Sequence, residues 1–458
     1  MNFRPNLKSE SVNQKILRAA VIIAVFTCLA RAGTVLRELV VAQTFGRGDA
    51  LDSFLIALLL PAFFVTIISG TLGSALIPVF LEVQQKQGRE AAEKLLANIS
   101  LMSVLVLAVA ALLLGAFAPQ YLPYIAHGFS YEKLQLTRQL LYLLLPWVIL
   151  GGTSQLLTYV LNAGEKFAMP ALVPLTTPFV VIAFVLFTSK IWGGLALSAG
   201  TVVGGVLEAV FLLAMLRTHG MRFKLWWSGL DHDVSTVFHQ AGPLLAGSIL
   251  MASIPVIAQS LAAMLPAGSV SAMGYANRII TALTGLGATA LSTATLPYFS
   301  KMAAANDWAG CRHTLKRYSG LLLVTTIPFT VIFIAISHPI IRILYQRGAF
   351  TAADTQVVSL LQSLLALQIP FVLICTLLVR FLSAIKRNDL LLYVSVLNVA
   401  ANVGLNFVLM KMWGLPGIAL SISLTYAVSF VFIAACTLKL IGERDSVQTV
   451  SQRQEVHN

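Results

Sequence analysis

Apolar residues form long runs that recur along the whole chain. Most of these runs approach the roughly 20 residues that an α-helix needs to cross the hydrocarbon core of a bilayer. The pattern therefore predicts a polytopic helical membrane protein. Twelve transmembrane helices are predicted, at residues 16–44, 51–81, 93–117, 136–161, 169–188, 194–216, 240–264, 270–300, 315–337, 355–384, 390–410 and 415–440.

Composition and charge agree with this class. The chain is 58% apolar and 11% charged, whereas a soluble domain carries about 25% charged residues. Residues within three positions of a span end are counted with the adjacent side. Of the 31 Lys and Arg residues, 20 then lie on the side of the N-terminus, 7 on the opposite side and 4 deep within predicted spans. This bias follows the positive-inside rule and predicts that both termini are cytoplasmic. It accounts for the net charge of +13 without a nucleic-acid partner, and none is predicted.

Short motifs of the first half return in the second half, in the same order and 219–224 residues later. This offset contains six predicted spans, and an even number restores the orientation, so the halves are predicted to be parallel repeats. Transporters use this architecture, with a substrate site between the lobes. The matched pairs begin at Pro78 and Pro297, Pro146 and Pro370, Lys190 and Lys411, and Gly194 and Gly417.

The predicted fold class is thus an all-α polytopic membrane protein with two six-helix lobes around a central cavity. The boundaries are an N-terminal lobe at 1–217, a cytoplasmic linker at 218–239, a C-terminal lobe at 240–441 and a polar cytoplasmic tail at 442–458. Eight prolines are predicted to interrupt spans, each by bending its helix; they are Pro61, Pro146, Pro174, Pro178, Pro243, Pro255, Pro328 and Pro370. Asp231-His232-Asp233 in the linker is predicted to cap a helix rather than to bind a metal. No catalytic residue or metal ligand is predicted.

Charged residues inside the spans are the candidate functional groups. The first span contains Arg31, Arg37 and Glu38, although an arginine at the bilayer centre costs about 2.5–3.5 kcal/mol on insertion scales. Arg31 and Glu38 are seven residues apart and share a helical face. Two interpretations stay open: an Arg–Glu pair inside the bundle, or a cavity that binds a ligand. Glu208 lies mid-span, either as a relay for a cation or proton or as a hydrogen-bond partner of a neighbouring helix.

The second half contributes Arg278 and Arg380, unless Arg380 snorkels toward the cytoplasm. Four arginines against Glu38 and Glu208 predict a net positive cavity that suits an anion. Guanidinium groups pair with phosphate in a bidentate manner. The apolar surface beside them suits a lipid tail, so the predicted ligand is an amphiphile such as a polyprenyl pyrophosphate.

Several segments resemble the MurJ/MviN family of lipid II flippases, over residues from about Ala30 to Leu440. "YANRI" is similar to a family motif that carries a cavity arginine, here Arg278, and "ATLPYFSKMAAAND" and "LYQRGAFTAADT" also resemble the family. The opening stretch "ARAGTVLRELVVAQTFGRGDALDSFLIALLLPAFF" matches at Arg31, Arg37-Glu38, Phe45-Gly46, Asp52-Ser53-Phe54 and Leu60-Pro61.

The resemblance implies the fold of the multidrug/oligosaccharidyl-lipid/polysaccharide exporters and a non-enzymatic function. A flippase would move an undecaprenyl-pyrophosphate-linked saccharide across the bacterial cytoplasmic membrane by alternating access. Its partners would be this lipid-linked saccharide and the bilayer. No cofactor is implied, and coupling to the membrane potential or to a monovalent cation stays open. The charges inside the spans and the resemblance together give Arg31, Arg37, Arg278 and Arg380 as the candidate head-group contacts, with Glu38, Asp52 and Glu208 as supporting or coupling carboxylates.

Two departures from the family pattern bear on the substrate. An arginine pair often follows Leu-Pro in the family, but residues 62–66 here are AFFVT, and typical members have fourteen spans rather than twelve. These departures favour a relative that moves an exopolysaccharide or O-antigen precursor as much as lipid II itself. A cation-coupled multidrug exporter of the same superfamily and a membrane-embedded glycan transferase or ligase are the competing functional interpretations.

Overall fold

The computed structural model of the protein describes residues 29, 32–163, 172–218, 229, 231–385 and 387–457. All regular secondary structure in these ranges is helical. In chain order the helices are α1 (32–45), α2 (Asp49–Lys86), α3 (Arg89–Ala116), α4 (Ala118–Ile125), α5 (Tyr131–Ala163), α6 (Thr176–Trp192), α7 (Leu195–Thr218), α8 (His232–Ala263), α9 (Ser269–Ala304), α10 (Trp308–Ala335), α11 (Ser337–Tyr345), α12 (Ala352–Ala366), α13 (Ile369–Ala384), α14 (Asn388–Trp413) and α15 (Leu415–His457).

Eleven segments in the described part of the chain are long and apolar enough to cross a membrane. They coincide one for one with the second to twelfth predicted spans. The first predicted span, 16–44, lies largely outside the described residues, and its described part is helical from residue 32. The prediction of an all-α polytopic membrane protein is therefore confirmed.

Two short helices between spans were not predicted. α4 lies between α3 and α5, and α11 lies between α10 and α12. α11 is amphipathic, because it buries Ile341 and Tyr345 and exposes Arg342. A helix of 8 or 9 residues is too short to give the long apolar run on which the span prediction depends.

Pro370 breaks one predicted span in two. The span predicted at 355–384 consists of α12, which ends at Ala366, and α13, which begins at Ile369. Proline has no N–H to donate and its ring clashes with the preceding turn, which disfavours a continuous helix at this point. The repeat partner, Pro146, lies inside the uninterrupted helix α5. The same motif thus breaks a helix in the second half of the chain only.

The described residues form two compact units. The first unit draws on Met1–Val41, Phe64–Ala116 and Leu140–Pro243, and the second on Ala42–Phe63, Phe117–Gln139 and Leu244–Asn458. Each has its own core: Leu76 and Ile99 are fully buried in the first, and Phe381 and Leu382 in the second. Unit boundaries fall inside α1, α2, α5 and α8, and one more follows the end of α3. The division into lobes at 1–217 and 240–441 stays a prediction.

Helix caps explain where several helices begin. Asp231 accepts a hydrogen bond from the backbone N–H of Val234 at 2.9 Å, which confirms the predicted capping role at the start of α8. Asp307 caps α10 in the same way. Thr351 and Asp354 form a reciprocal capping box at the start of α12. Such caps satisfy N–H groups that have no partner within the helix.

Candidate functional site

Arg37 and Glu38 form an ion pair on α1, within the first unit. The Arg37 Nη2 to Glu38 Oε1 distance is 2.5 Å, and the two side chains are only 19% and 11% exposed. Arg31, which the spacing placed on the same face as Glu38, lies outside the described residues. Neighbouring residues of opposite charge thus neutralise each other where an isolated charge would be costly. Their contribution to substrate binding stays a prediction.

Glu208 connects two helices of the first unit. Its Oε2 accepts a hydrogen bond from Thr177 Oγ1 on α6 at 2.9 Å. The helices touch here, because a Cβ added at Gly204, one turn before Glu208, would lie 2.7 Å from Thr177 Cα. This contact corresponds to the interhelical interpretation of Glu208. A role in relaying a cation or proton stays a prediction.

Of the predicted site residues that the structure describes, Asp52 is the most buried, at 1% exposure. Its two carboxylate oxygens accept hydrogen bonds from the backbone N–H groups of Gly268 at 2.7 Å and Ser271 at 2.8 Å. The buried Lys133 Nζ donates a third at 2.9 Å. Because α9 begins at Ser269, Asp52 caps this helix from a distant part of the chain. A carboxylate at this position is stabilised by the positive end of the helix dipole.

Further contacts of the second unit surround Asp52. Arg47 Nε donates to Gly268 O at 3.1 Å, and Arg47 Nη1 pairs with Asp354 at 3.4 Å. Tyr275 Oη donates to Gly46 O at 3.1 Å. We call this group of contacts, formed by residues 43–53, 268–275 and 345–354 together with Lys133, the Asp52 junction.

Two glycines make the junction possible. Gly46 has φ +53°, and a Cβ there would lie 2.3 Å from the carbonyl oxygen of Ala349. Gly348 has φ +59°, and its Cβ would lie 2.3 Å from the carbonyl oxygen of Gln43. Between these two approaches the Ala349 N–H donates to Gln43 O at 2.8 Å. The family-like motifs Phe45-Gly46, Asp52-Ser53-Phe54, YANRI and LYQRGAF therefore meet at one place.

Sequence reasoning missed Arg47 and Lys133. Their junction partners are 221, 307 and 81 residues away along the chain. Neither residue lies within a predicted span, so neither met the criterion of a charge inside the membrane. No local spacing links either of them to its partner.

Arg380 lines a cavity of about 560 Å³ within the second unit, between α8, α9, α13, α14 and α15. Arg380 Nε donates a hydrogen bond to Ser292 Oγ at 2.8 Å. None of the described residues that line this cavity carries a carboxylate. The described lining of this cavity, called the arginine cavity below, thus carries one positive and no negative side chain. The larger positive cavity predicted from four arginines stays a prediction.

A second cavity of about 280 Å³ adjoins the first and shares Met251, Val372, Asn398 and Tyr426 with it. Its polar lining is dominated by carboxamides, so we call it the amide cavity; they are Gln259, Asn277, Gln368, Asn398 and Asn402. Arg278, next to Asn277, is exposed on α9.

The carboxamides of α14 were also missed from the sequence, although a signal was present. Asn398, Asn402 and Asn406 lie four residues apart within a predicted span, and all three are buried. Asn406 Nδ2 donates to Asn402 Oδ1 at 2.8 Å, and Ser421 and Ser429 of α15 donate to Asn406 and Asn398. Residues spaced by four share a helical face, so the pattern indicated a buried polar stripe.

Comparison with known proteins identifies the family. The sequence model of the family described as lipid II flippase MurJ matches residues 41–451. A probable lipid II flippase MurJ of Rickettsia prowazekii is 29% identical over 416 residues, which cover 89% of this chain and 81% of the relative. The corresponding protein of Thermotoga maritima is 26% identical over 410 residues, covering 89% and 82%.

Solved structures agree on the fold. A lipid II flippase MurJ in an inward closed conformation superposes with a TM-score of 0.78 at 23% identity, covering 94% of this chain and 92% of that one. An inward-facing multidrug transporter of the MATE family gives a TM-score of 0.73 at 13% identity, covering 93% and 99%. The multidrug-exporter and transferase interpretations gain no support from the family match, and the family consists of transporters rather than enzymes. The chain belongs to the MurJ family of lipid II flippases.

Proposed function

We propose that this protein moves an undecaprenyl-pyrophosphate-linked saccharide, lipid II in the first instance, across the cytoplasmic membrane of a bacterium. The observation that carries the proposal is the match to the lipid II flippase family over residues 41–451. The positive arginine cavity, among whose described lining residues none is acidic, supports an anionic head group. The chain crosses the membrane many times, with both termini cytoplasmic by the distribution of Lys and Arg.

Arg31, Arg37, Arg278 and Arg380 are the proposed contacts for the pyrophosphate. A guanidinium group offers two parallel N–H donors to a phosphate oxygen pair, so it adds geometry to charge. Among the carboxylates, Asp52 supports the Asp52 junction, whereas Glu38 and Glu208 are candidates for coupling to the membrane potential or to a monovalent cation.

The proposed mechanism is alternating access. The orientation inferred from Lys and Arg puts the Asp52 junction on the non-cytoplasmic side. A closed junction prevents release there while the head group enters from the cytoplasm. Release then requires that α2 and α9 separate at Asp52, Gly268 and Ser271. The lipid tail stays in the bilayer throughout.

Expression of this protein should restore growth of a bacterium depleted of its own lipid II flippase. The measurement is colony formation after depletion, with the protein abundance in the membrane determined alongside. Cells that carry the empty vector serve as the negative control, and the Arg37→Ala, Arg278→Ala double variant should not restore growth. Absence of rescue by well-expressed protein, combined with rescue of a strain that lacks an O-antigen or exopolysaccharide flippase, would assign the substrate to that other carrier.

Removal of the proposed head-group contacts should slow transport of a labelled lipid-linked saccharide in vesicles. Arg37→Ala and Arg278→Ala should each lower the rate about tenfold or more, because each removes charge-assisted hydrogen bonds worth about 1.5–3 kcal/mol. Arg→Lys at either position should have a smaller effect, since it keeps the charge but loses the planar fork. Exposed Arg317 on α10 provides a matched Arg→Ala control with the wild-type rate. Wild-type transport by both single variants would exclude these residues as head-group contacts.

A further inference from the structure

The amide cavity contains buried polar atoms that have no hydrogen-bond partner among the described residues. They are Gln259 Oε1, Gln368 Nε2 and Asn402 Nδ2. Gln368 is 5% exposed and Asn402 is fully buried. A buried carboxamide that keeps an unused donor or acceptor is unfavourable unless water or a ligand satisfies it. The three residues that carry these atoms line one cavity although they come from different parts of the chain.

The break between α12 and α13 puts Gln368 in this position. Gln368 precedes α13, and its side chain makes no capping hydrogen bond there. Its backbone N–H donates to Leu365 O, and its carbonyl accepts from Val372. The backbone at the break is thus satisfied, and the side-chain amide remains for the cavity. Interrupted spanning helices of this kind are characteristic of substrate sites in transporters.

The donors, acceptors and charge of the cavity lining indicate which class of ligand it can bind. Two of the three unused atoms are N–H donors, which oppose a cation, and no described residue of the lining is charged. An acyl chain would leave all three atoms unsatisfied. A sugar supplies hydroxyl groups that both donate and accept, and an acetamido group that matches a carboxamide. Tyr426 adds an aromatic surface with a polar end.

Arg380, in the adjoining arginine cavity, can bind an anionic group. Arg380 uses its Nε to bond Ser292, and a guanidinium group has five N–H donors in all. Its two terminal nitrogens can therefore donate hydrogen bonds to an anion in the cavity. Asn398 and Tyr426 line both cavities, so the two cavities are direct neighbours. A lipid-linked saccharide has the same order of groups, an anionic diphosphate followed directly by a sugar.

We propose that the two cavities form a composite subsite in which Arg380 binds the diphosphate while Gln259, Gln368 and Asn402 bind the first sugar, an N-acetylated hexose. This inference rests on the proposed function and adds to it the residues that recognise the sugar. Buried carboxamide groups of this kind bind ordered water when no ligand is present. The sugar therefore replaces water and gains affinity only if it reproduces those hydrogen bonds.

The test compares two probes on the full chain in lipid nanodiscs: undecaprenyl diphosphate, and the same lipid with one N-acetylhexosamine. The dissociation constants of both are measured by native mass spectrometry. Wild-type protein should bind the sugar-bearing probe about tenfold more tightly. Gln368→Met and Asn402→Leu should each lower this ratio about fivefold and leave the sugar-free probe unaffected. Arg380→Gln should weaken both probes about tenfold and preserve the ratio.

A matched control is Gln362→Met on α12. Gln362 is also fully buried with an unpartnered Nε2, but it accepts a hydrogen bond from Ser337 and does not line either cavity. It should keep the wild-type ratio. Equal binding of both probes by the wild type, or an unchanged ratio in Gln368→Met and Asn402→Leu, would overturn the subsite and leave the proposed function intact. Failure of the wild type to bind either probe would overturn both.

Discussion

Lys133→Met should lower the free energy of unfolding by about 3 kcal/mol. Lys133 is 8% exposed, and its Nζ lies 2.9 Å from the Asp52 carboxylate and 2.6 Å from that of Asp49. Removal of one member of a buried ion pair leaves the other charge without compensation, which costs about 3–5 kcal/mol. The two backbone N–H groups that still cap Asp52 keep the expected loss at the lower end of this range. The measurement is a denaturant titration of the purified protein in mixed micelles.

The neutral double variant provides the internal check. Asp52→Asn combined with Lys133→Met should recover a large part of the lost stability, because no buried charge then remains unpaired. Lys94→Met, which removes the exposed ion pair with Glu90 on α3, should leave stability nearly unchanged. If the double variant were as unstable as the sum of its single changes, Asp52 and Lys133 would not interact energetically.

Gly46→Ala should destabilise the protein by about 2–5 kcal/mol. A left-handed backbone costs a residue with a Cβ about 1–2 kcal/mol, and the remainder reflects the forced displacement of backbone. The obstacle is the carbonyl oxygen of Ala349, 2.3 Å from the added Cβ. Backbone cannot rotate away as a flexible side chain can. The same substitution should open the Asp52 junction, measured as faster cross-linking or labelling of a cysteine placed at Ser271.

Substitution of Gly88 is a control that separates the cost of the left-handed backbone from the cost of the close contact with Ala349. It has φ +88° between α2 and α3, and a Cβ there would meet nothing within 4 Å. Gly88→Ala should therefore show only the conformational cost of about 1–2 kcal/mol and leave labelling at Ser271 unchanged. Equal effects of Gly46→Ala and Gly88→Ala would mean that the close approach to Ala349 yields to the added methyl group.

Most of the fold was predictable because the signal is local. A run of about 20 apolar residues has one stable arrangement in a bilayer, so the spans from 51–81 onward were found with small errors at their ends. Proline marks positions where a helix can bend or break. Pro370 coincides with a break, whereas Pro146 and Pro328 lie inside continuous helices, so the residue alone does not decide the outcome. The short helices α4 and α11 fall below the length at which hydropathy distinguishes a helix from a connection.

The candidate site was predictable only where a charge stood out against apolar neighbours. Arg37, Glu38 and Arg380 were found on that criterion. Lys133 was not, because it lies in a polar connection and gains its significance from Asp52, which the fold brings to it. Gln368 and Asn402 carry no charge, and their importance depends on a cavity that several distant helices enclose. Residues that meet only in the folded chain leave no recognisable pattern in the spacing of a single segment.

The long range of the Asp52 contacts has a consequence for biosynthesis. Asp52 belongs to the second predicted span, but Lys133 follows 81 residues later and the N–H group of Gly268 follows 216 residues later. While the chain emerges from the ribosome, the carboxylate therefore has no permanent partner and must stay at the aqueous interface, since an unpaired acid in the hydrocarbon is costly. The complete set of contacts at the start of α2 can form only after α9 has been synthesised. In a chain arrested before Gly268, Asp52 would lack the backbone N–H groups that cap it in the finished protein. Membrane proteases could recognise the exposed start of α2 and so distinguish an unfinished protein from a finished one.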